Sequence, residues 1–247
     1  AARAAEGVRA VLTIDDLEAA GMHVNMFGAT IKNRDGSQGA APKRPLLARG
    51  KMRFVGEPVA FIVADTLDQA RDAAELIVLD YDDLPAKMDV AKGGPAVHDE
   101  VPDNRGFDWG IGDEAATEAA FASAARRVRL EVGDNRIIVN SLEPRGCFAE
   151  WEGGRLHVSL GGQGVWGQKE FLAKAFGLDP EQVRVTTPDV GGGFGMKGFP
   201  YPEYALAAEA ARVTGQPVRW MSERTEAMLS DNAGRDLVST AEFAFDE

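Results

Sequence analysis

The stretch Gly191 to Gly198, GGGFGMKG, constrains how this 247-residue chain can fold more than any other. From Gly193 it spells G-x-G-x-x-G, the string of a dinucleotide-binding turn, with a strand-like VRV before it and a helical run after it. Such a turn needs a buried strand running straight into the first glycine. It also needs the third glycine inside the first turns of the helix, where helix and sheet approach closely. Neither condition is met. VRV alternates, and Thr186-Thr187-Pro188-Asp189 interposes a turn before any glycine. Pro200 and Pro202 delay the helix past Gly198. Glu223, after PVRWMS, imitates the ribose-holding acid but lacks the rest of the context. The sequence argues against a nicotinamide-binding turn.

Two readings of the loop stay open. Glycines that take positive φ can make a tight surface turn, or a bare backbone can let N–H groups approach a polar or anionic ligand. A second cluster, GGQG at Gly161 to Gly164, favours the ligand reading. It offers one amide side chain, Gln163, which carries both a donor and an acceptor. Each loop thus presents one distinctive side chain, Gln163 or Phe194.

Composition narrows the classes. With 45% hydrophobic residues the chain can build a core. The net charge of −12, with no basic stripe, argues against a nucleic-acid partner. No run approaches the roughly 20 apolar residues that span a bilayer, and no signal-peptide pattern opens the chain. The single cysteine, Cys147, excludes an internal disulfide framework and reads as a small buried hydrophobe. His23, His98 and His157 have no metal-ligand spacing, and His157 in RLHVSL reads as a sheet-surface residue. A reducing cytoplasm is the expected location.

Along the chain, VRAVLTI from Val8 and VAFIVAD from Val59 read as strands, the second buried on both faces. Thr66 and Gln69 form a capping pattern for a helix with Ala70, Ala73, Ala74 and Ile77 on one stripe. VLDYDDL reads as a further strand ending at Pro85, and Gly93 to Asn104 as a linker. Glu114 to Ala125 reads as a helix and RVRLEV as a half-exposed strand. CFAEWEGGRLHVSL is a hairpin turning at Gly153-Gly154. A helix carrying Phe171, Leu172, Ala175 and Phe176 follows GGQG, and Asp179 to Gln182 caps a short helical turn. The helix after the glycine loop places Leu206, Ala210 and Val213 on one face and stops at Gly215. PVRWM and LVSTAEFAF read as strands.

PDVGGGFGMKGFPYPEYALAAEAARVTGQPVRWMSERTEAMLSD closely resembles the molybdenum-binding subunit of the xanthine dehydrogenase, aldehyde oxidase and carbon monoxide dehydrogenase family. The likeness covers nearly the whole chain, with VGEPVA at Val55 to Ala60, VHDEVPDN, NSLEPRGCFAEW, GGQG and GGGFG in the family's order. It implies an α+β chain: an α/β hammerhead domain over residues 1–92, N-terminally truncated, a linker over 93–106, and the first part of the molybdopterin-binding domain over 107–247. Such subunits hydroxylate a carbon centre of a heterocycle, aldehyde or CO-type substrate with oxygen from water. Their cofactor is molybdenum-molybdopterin, commonly the cytosine dinucleotide in bacteria. Electrons leave to [2Fe–2S] clusters on a small partner subunit and to FAD on a medium one.

The resemblance assigns cofactor contacts to Gln163, Gly164, Gly193, Phe194 and Gly195, with Phe194 and Glu143 along the substrate channel and no residue ligating the metal directly. Gln163 and the Gly195 amide are expected to stabilise charge on metal–oxygen groups. Glu143 and Arg145 in LEPRG either line the pocket or orient Gln163, or form an ion pair that stabilises the domain. Lys197 reads as a solvated or structural lysine rather than a catalytic one. Purine-oxidising members carry a Glu where this chain has Gly198, which weighs against a purine substrate. The catalytic base is expected beyond Glu247, so no catalytic residue is assigned within the chain. The chain is expected to be an internal piece, inactive alone, that needs the remaining part of its subunit. A non-catalytic interaction module of the same fold is the rival reading.

Overall fold

The computed structural model describes residues 1–28 and 30–246. In chain order its elements are β1 (Val8–Leu12), α1 (Ile14–Ala19), β2 (Asn25–Met26), β3 (Arg44–Pro45), β4 (Phe61–Ala64), α2 (Leu67–Glu75), α3 (Glu114–Ser123) and β5 (Arg126–Asp134). Then come β6 (Gly146–Glu152), β7 (Arg155–Leu160), α4 (Trp166–Phe176), β8 (Val183–Thr186), α5 (Pro202–Thr214), β9 (Val218–Met221), α6 (Arg224–Ser230) and β10 (Leu237–Phe245). Two compact units result. One collects Ala1–Phe27, Lys43–Asp83 and Val139–Asn232; the other collects Gly28–Pro42, Leu84–Ile138 and Ala233–Glu247.

The first unit is built on a four-stranded sheet of order β8-β7-β6-β9. The β6–β7 hairpin turns at Gly153-Gly154, both at positive φ, and pairs Ala149 with Val158 and Cys147 with Leu160. β8 runs parallel to β7, and β9 antiparallel to β6. Alternation along β7 buries Leu156, Val158 and Leu160, while Arg155, His157 and Ser159 face the other side. Each fully buried leucine contributes about 1.5–3 kcal/mol.

Onto the buried face pack α4, through Phe171, Leu172 and Ala175, and α5. The expected stripe on α5 is too narrow. Residues 202–211 of this helix are buried in succession, whereas Val213 is exposed. Five alanines in that run (205, 207, 208, 210 and 211) let neighbours approach the backbone from every side. Trp151 Nε1 donates to the Ala208 carbonyl at 2.8 Å, tying β6 to α5.

In the same unit β1 pairs antiparallel with β4. β4 is an edge of this two-stranded sheet, so only Phe61 is buried and Ile62 to Ala64 are half-buried. That corrects the reading of a strand covered on both faces. The α2 capping box forms as expected, Gln69 N–H donating to Thr66 Oγ1 at 3.2 Å and Thr66 N–H to Gln69 Oε1 at 3.1 Å. Of its stripe Ala73 is buried, Ala70 and Ile77 half-buried, and Ala74 exposed. VLDYDDL makes no strand: residues 77–84 join no ladder, and Val78 and Tyr81 are exposed. A strand is stable only with a partner edge, which this acidic run does not find.

In the second unit β5 and β10 form a two-stranded antiparallel ribbon, with Val128 opposite Phe243 and Leu130 opposite Ala241. RVRLEV is more exposed than half, since residues 126–133 are all exposed. α3 is capped by Asp113, which accepts from the Ala116 N–H at 2.9 Å, and buries no residue. Among the described residues no helix is long and apolar enough to cross a membrane.

Candidate functional site

Both glycine clusters sit at ends of the sheet. GGQG follows β7 and leads through Val165 into α4; GGGFG lies between β8 and a 3-10 turn at Met196–Gly198. α5 starts only at Pro202, so Gly198 is outside any α-helix, as the prolines demand. The second loop is a run of left-handed backbone: Gly191, Gly192, Phe194 and Gly195 have φ of +58°, +95°, +50° and +92°. For phenylalanine that conformation is strained, and persists only where the surroundings determine it. Phe194 is 80% exposed, so the strain serves no core contact.

Gln163 joins the two loops. Its side-chain Oε1 accepts from the Gly195 N–H at 2.8 Å, and its own backbone N–H donates to the Lys197 carbonyl at 3.1 Å. A Cβ on Gly193 would overlap the Gln163 amide. The glycine is therefore what lets that amide lie against the loop. The Gly195 N–H is engaged by Gln163, and the Gln163 side-chain NH2 is the donor left for a ligand. Gly164, at φ +128°, is exposed beside it. Thr187 braces the first loop: its Oγ1 accepts from the Gly162 N–H at 3.1 Å.

Glu143 lies between the loops. Its backbone N–H donates to the Gly191 carbonyl at 3.1 Å, and a Cβ on Gly191 would overlap its side chain. A Cβ on Gly161 would come within 3.0 Å of Glu143 Oε1. Arg145 does not pair with it. The Arg145 guanidinium is fully buried, donating to Asp231 at 2.5 Å, to Glu203 at 2.9 and 3.2 Å, and to Ser230 Oγ at 3.2 Å. It stacks over the Tyr201 ring at 3.8 Å. Burial alone would lower its pKa; Glu203, with Asp231, outweighs that and the net shift is upward. Arg145 is thus a stabilising ion-pair residue, with partners far along the chain.

Lys197 is fully buried rather than solvated, and its ammonium donates to the Val190 carbonyl. Cys147 is buried, and burial, then Glu203, pushes its thiol pKa up, so it stays protonated. His157 is half-buried on the sheet surface, between Glu150 at 2.9 Å and Thr186 at 3.1 Å. Three neighbours lie within the stretches that carry the resemblance, which gave them no role. Ser141 is buried, its hydroxyl has no hydrogen-bond partner, and it lies next to the position a Gly192 Cβ would take. Arg224 holds the segment before Glu143 by donating to Asn140 Oδ1, Ser141 O and Leu142 O at 2.7, 2.6 and 2.7 Å. Tyr201 OH donates to the Met196 carbonyl at 3.1 Å beneath the loop.

The donor set is a side-chain amide, a hydroxyl and bare backbone. Among the described residues no group of three or more His, Cys, Asp or Glu could hold a metal ion. Such donors suit anionic oxygen rather than a bare cation. Clefts of about 340 and 320 Å3 are lined by residues of the second unit.

Residues 97–247 match the model of the molybdopterin cofactor-binding domain. Residues 1–85 match the α/β hammerhead domain of aldehyde oxidase and xanthine dehydrogenase. The chain is 32% identical to the nicotine 6-hydroxylase large subunit of Paenarthrobacter nicotinovorans, over 96% of this chain and 29% of that protein. It is 31% identical to the carbon monoxide dehydrogenase large chain of Hydrogenophaga pseudoflava, over 99% and 31%. Among solved structures, the reconstituted CO dehydrogenase from Oligotropha carboxidovorans superposes with a TM-score of 0.84 at 30% identity, over 99% of this chain and 31% of that one. Quinoline 2-oxidoreductase from Pseudomonas putida 86 gives 0.79 at 30% identity, with the same coverage. The chain spans just under a third of the length of these relatives.

Proposed function

Because the chain belongs to the molybdopterin-binding family of aldehyde oxidase and xanthine dehydrogenase subunits, we propose that its GGQG and GGGFG loops form the molybdenum-facing wall of a hydroxylase. The full cytoplasmic subunit oxidises a carbon centre in a heterocycle, an aldehyde or a CO-type substrate, with oxygen from water. Electrons leave to iron–sulfur and FAD partner subunits. Relatives named for nicotine hydroxylation, carbon monoxide dehydrogenation and aldehyde oxidation support that range. One observation carries the reading: the Gln163–Gly195 hydrogen bond joins two glycine loops into one surface stripped of side chains, with Phe194 standing exposed beside it.

The residues present fit such a cofactor. The unpartnered, buried Ser141 hydroxyl, the free Gln163 NH2 and the Cβ-free backbone at Gly192 and Gly193 leave room and donors where an anionic group would come close. Gln163, Gly164, Gly193, Phe194 and Gly195 would hold the molybdenum-molybdopterin, in its cytosine dinucleotide form, and that group would supply the redox centre. The Gln163 NH2 donates towards developing negative charge, while its Oε1 stays fixed on Gly195. The Phe194 ring excludes water and gives the substrate an apolar wall. Glu143 keeps the loops apart at a set distance and borders the channel. With no side chain at Gly198, nothing there recognises a purine.

Metal analysis of the full complex, purified with its copurifying subunits, tests the reading. Molybdenum and iron at about one to four, as two [2Fe–2S] clusters require, supports it. Iron without molybdenum refutes it.

A further inference from the structure

Lys197 touches two segments of the site from one buried position. Its carbonyl accepts the Gln163 N–H of the GGQG loop at 3.1 Å. Its ammonium donates to the carbonyl of Val190, the last residue before the left-handed run. Among the charges that act on it is Glu143, the residue seated between the loops. The side chain is fully buried, so this charge is kept out of water beside a loop, a costly arrangement unless it holds something in place.

We infer that Lys197 is a positioning residue: it fastens the start of the glycine loop to its end and to the GGQG loop, and so fixes the Gln163 amide against Gly195. Phe194, a non-glycine residue at φ +50°, relaxes unless its surroundings over-determine it. Tyr201 and Gln168 hold the far end of the loop, through the Met196 and Phe199 carbonyls at 3.1 and 2.9 Å. At the near end the Glu143 N–H holds the Gly191 carbonyl at 3.1 Å, and the ammonium holds the Val190 carbonyl one residue before it. Burial pushes the Lys197 pKa down; Glu143 and Asp231 oppose that, and Arg145 and Arg224 add to it. Below the lowered pKa the protonated lysine therefore costs global stability, and that cost fades as pH rises through it.

The role rests on the loops being the cofactor wall, yet its test needs no metal. Amide hydrogen exchange is followed in the wild-type chain and in Lys197→Met, which keeps length and apolar volume but removes donor and charge. The expected result is exchange at Gly195 and Gln163 faster by about tenfold or more, with the α5 amides unchanged. The midpoint of thermal unfolding is expected to hold or rise, since replacing a buried charge by an apolar side chain is often neutral or stabilising. A lowered midpoint with α5 and the loop loosened together marks a general loss of packing, and that pattern overturns the role. So does unchanged exchange at Gly195.

Should the variant not fold, the wild-type chain decides. As pH approaches the ordinary lysine range, Gly195 exchange should outrun the base-catalysed rise shared by the α5 amides. If the two track each other, the role is overturned. Loop loosening in a chain whose full complex lacks molybdenum would leave the positioning role standing and remove only the cofactor reading.

Discussion

Replacing Arg145 by methionine tests what holds the floor of the site. The guanidinium is fully buried, and its carboxylate partners Glu203 and Asp231 have side chains only 7% and 1% exposed. Methionine keeps much of the volume but leaves two carboxylates side by side, without the N–H groups that now reach them at 2.5 to 3.2 Å. Removing one side of a buried pair costs about 3–5 kcal/mol, because the remaining charge is uncompensated. Loss of the cation–π stack on Tyr201 adds about 0.5–2 kcal/mol. Taking a total of about 4 kcal/mol and about 2–4 °C per kcal/mol for a chain of this size, the midpoint falls by about 8–16 °C. Urea and thermal unfolding followed by tryptophan fluorescence read the change directly, since Trp220 lies 5.2 Å from the same guanidinium. The triple variant Arg145→Met, Glu203→Gln, Asp231→Asn should recover most of the loss, because the stranded charges are gone. A single variant within about 1 kcal/mol of wild type, or a triple variant no better than the single, would refute the argument that the charges, not the packing, set the cost.

Gly193→Ala places a Cβ in the Gln163 amide, so the Gly195 N–H loses its acceptor and exchanges faster, while global stability falls by no more than about 1 kcal/mol. Equal exchange in variant and wild type would remove Gln163 from its assigned place. Tyr204→Phe should be neutral or stabilising by up to about 1 kcal/mol, since it deletes a buried hydroxyl with no hydrogen-bond partner; urea unfolding checks it. Cys147, buried with a raised thiol pKa, should resist maleimide at pH 8 until the chain is unfolded, and rapid labelling of the native chain would contradict its burial.

Local chemistry explains why parts of this fold can be read from the sequence. The caps at Thr66 and Asp179, the Gly153-Gly154 turn and the Gly215 stop each need only residues within a few positions of one another, and each forms as read. What fails depends on distant partners. VAFIVAD has the composition of a central strand but finds a neighbour on one side only, and VLDYDDL finds none. α5 hides its burial because alanine is apolar without being bulky, so no stripe marks a helix enclosed on all sides.

The site divides in the same way. Two glycine clusters with one side chain each are visible in the string, but what Gln163 does with its two ends is not. The acceptor end is spent on Gly195, 32 positions away, and the Arg145 partners lie 58 and 86 positions away. Spacing cannot encode such contacts, because they depend on how β6, β8 and α5 bring their ends together. The consequence is chemical. With its oxygen fixed to the loop, the NH2 end of Gln163 is the end left free, so a ligand at the proposed site would meet a donor there.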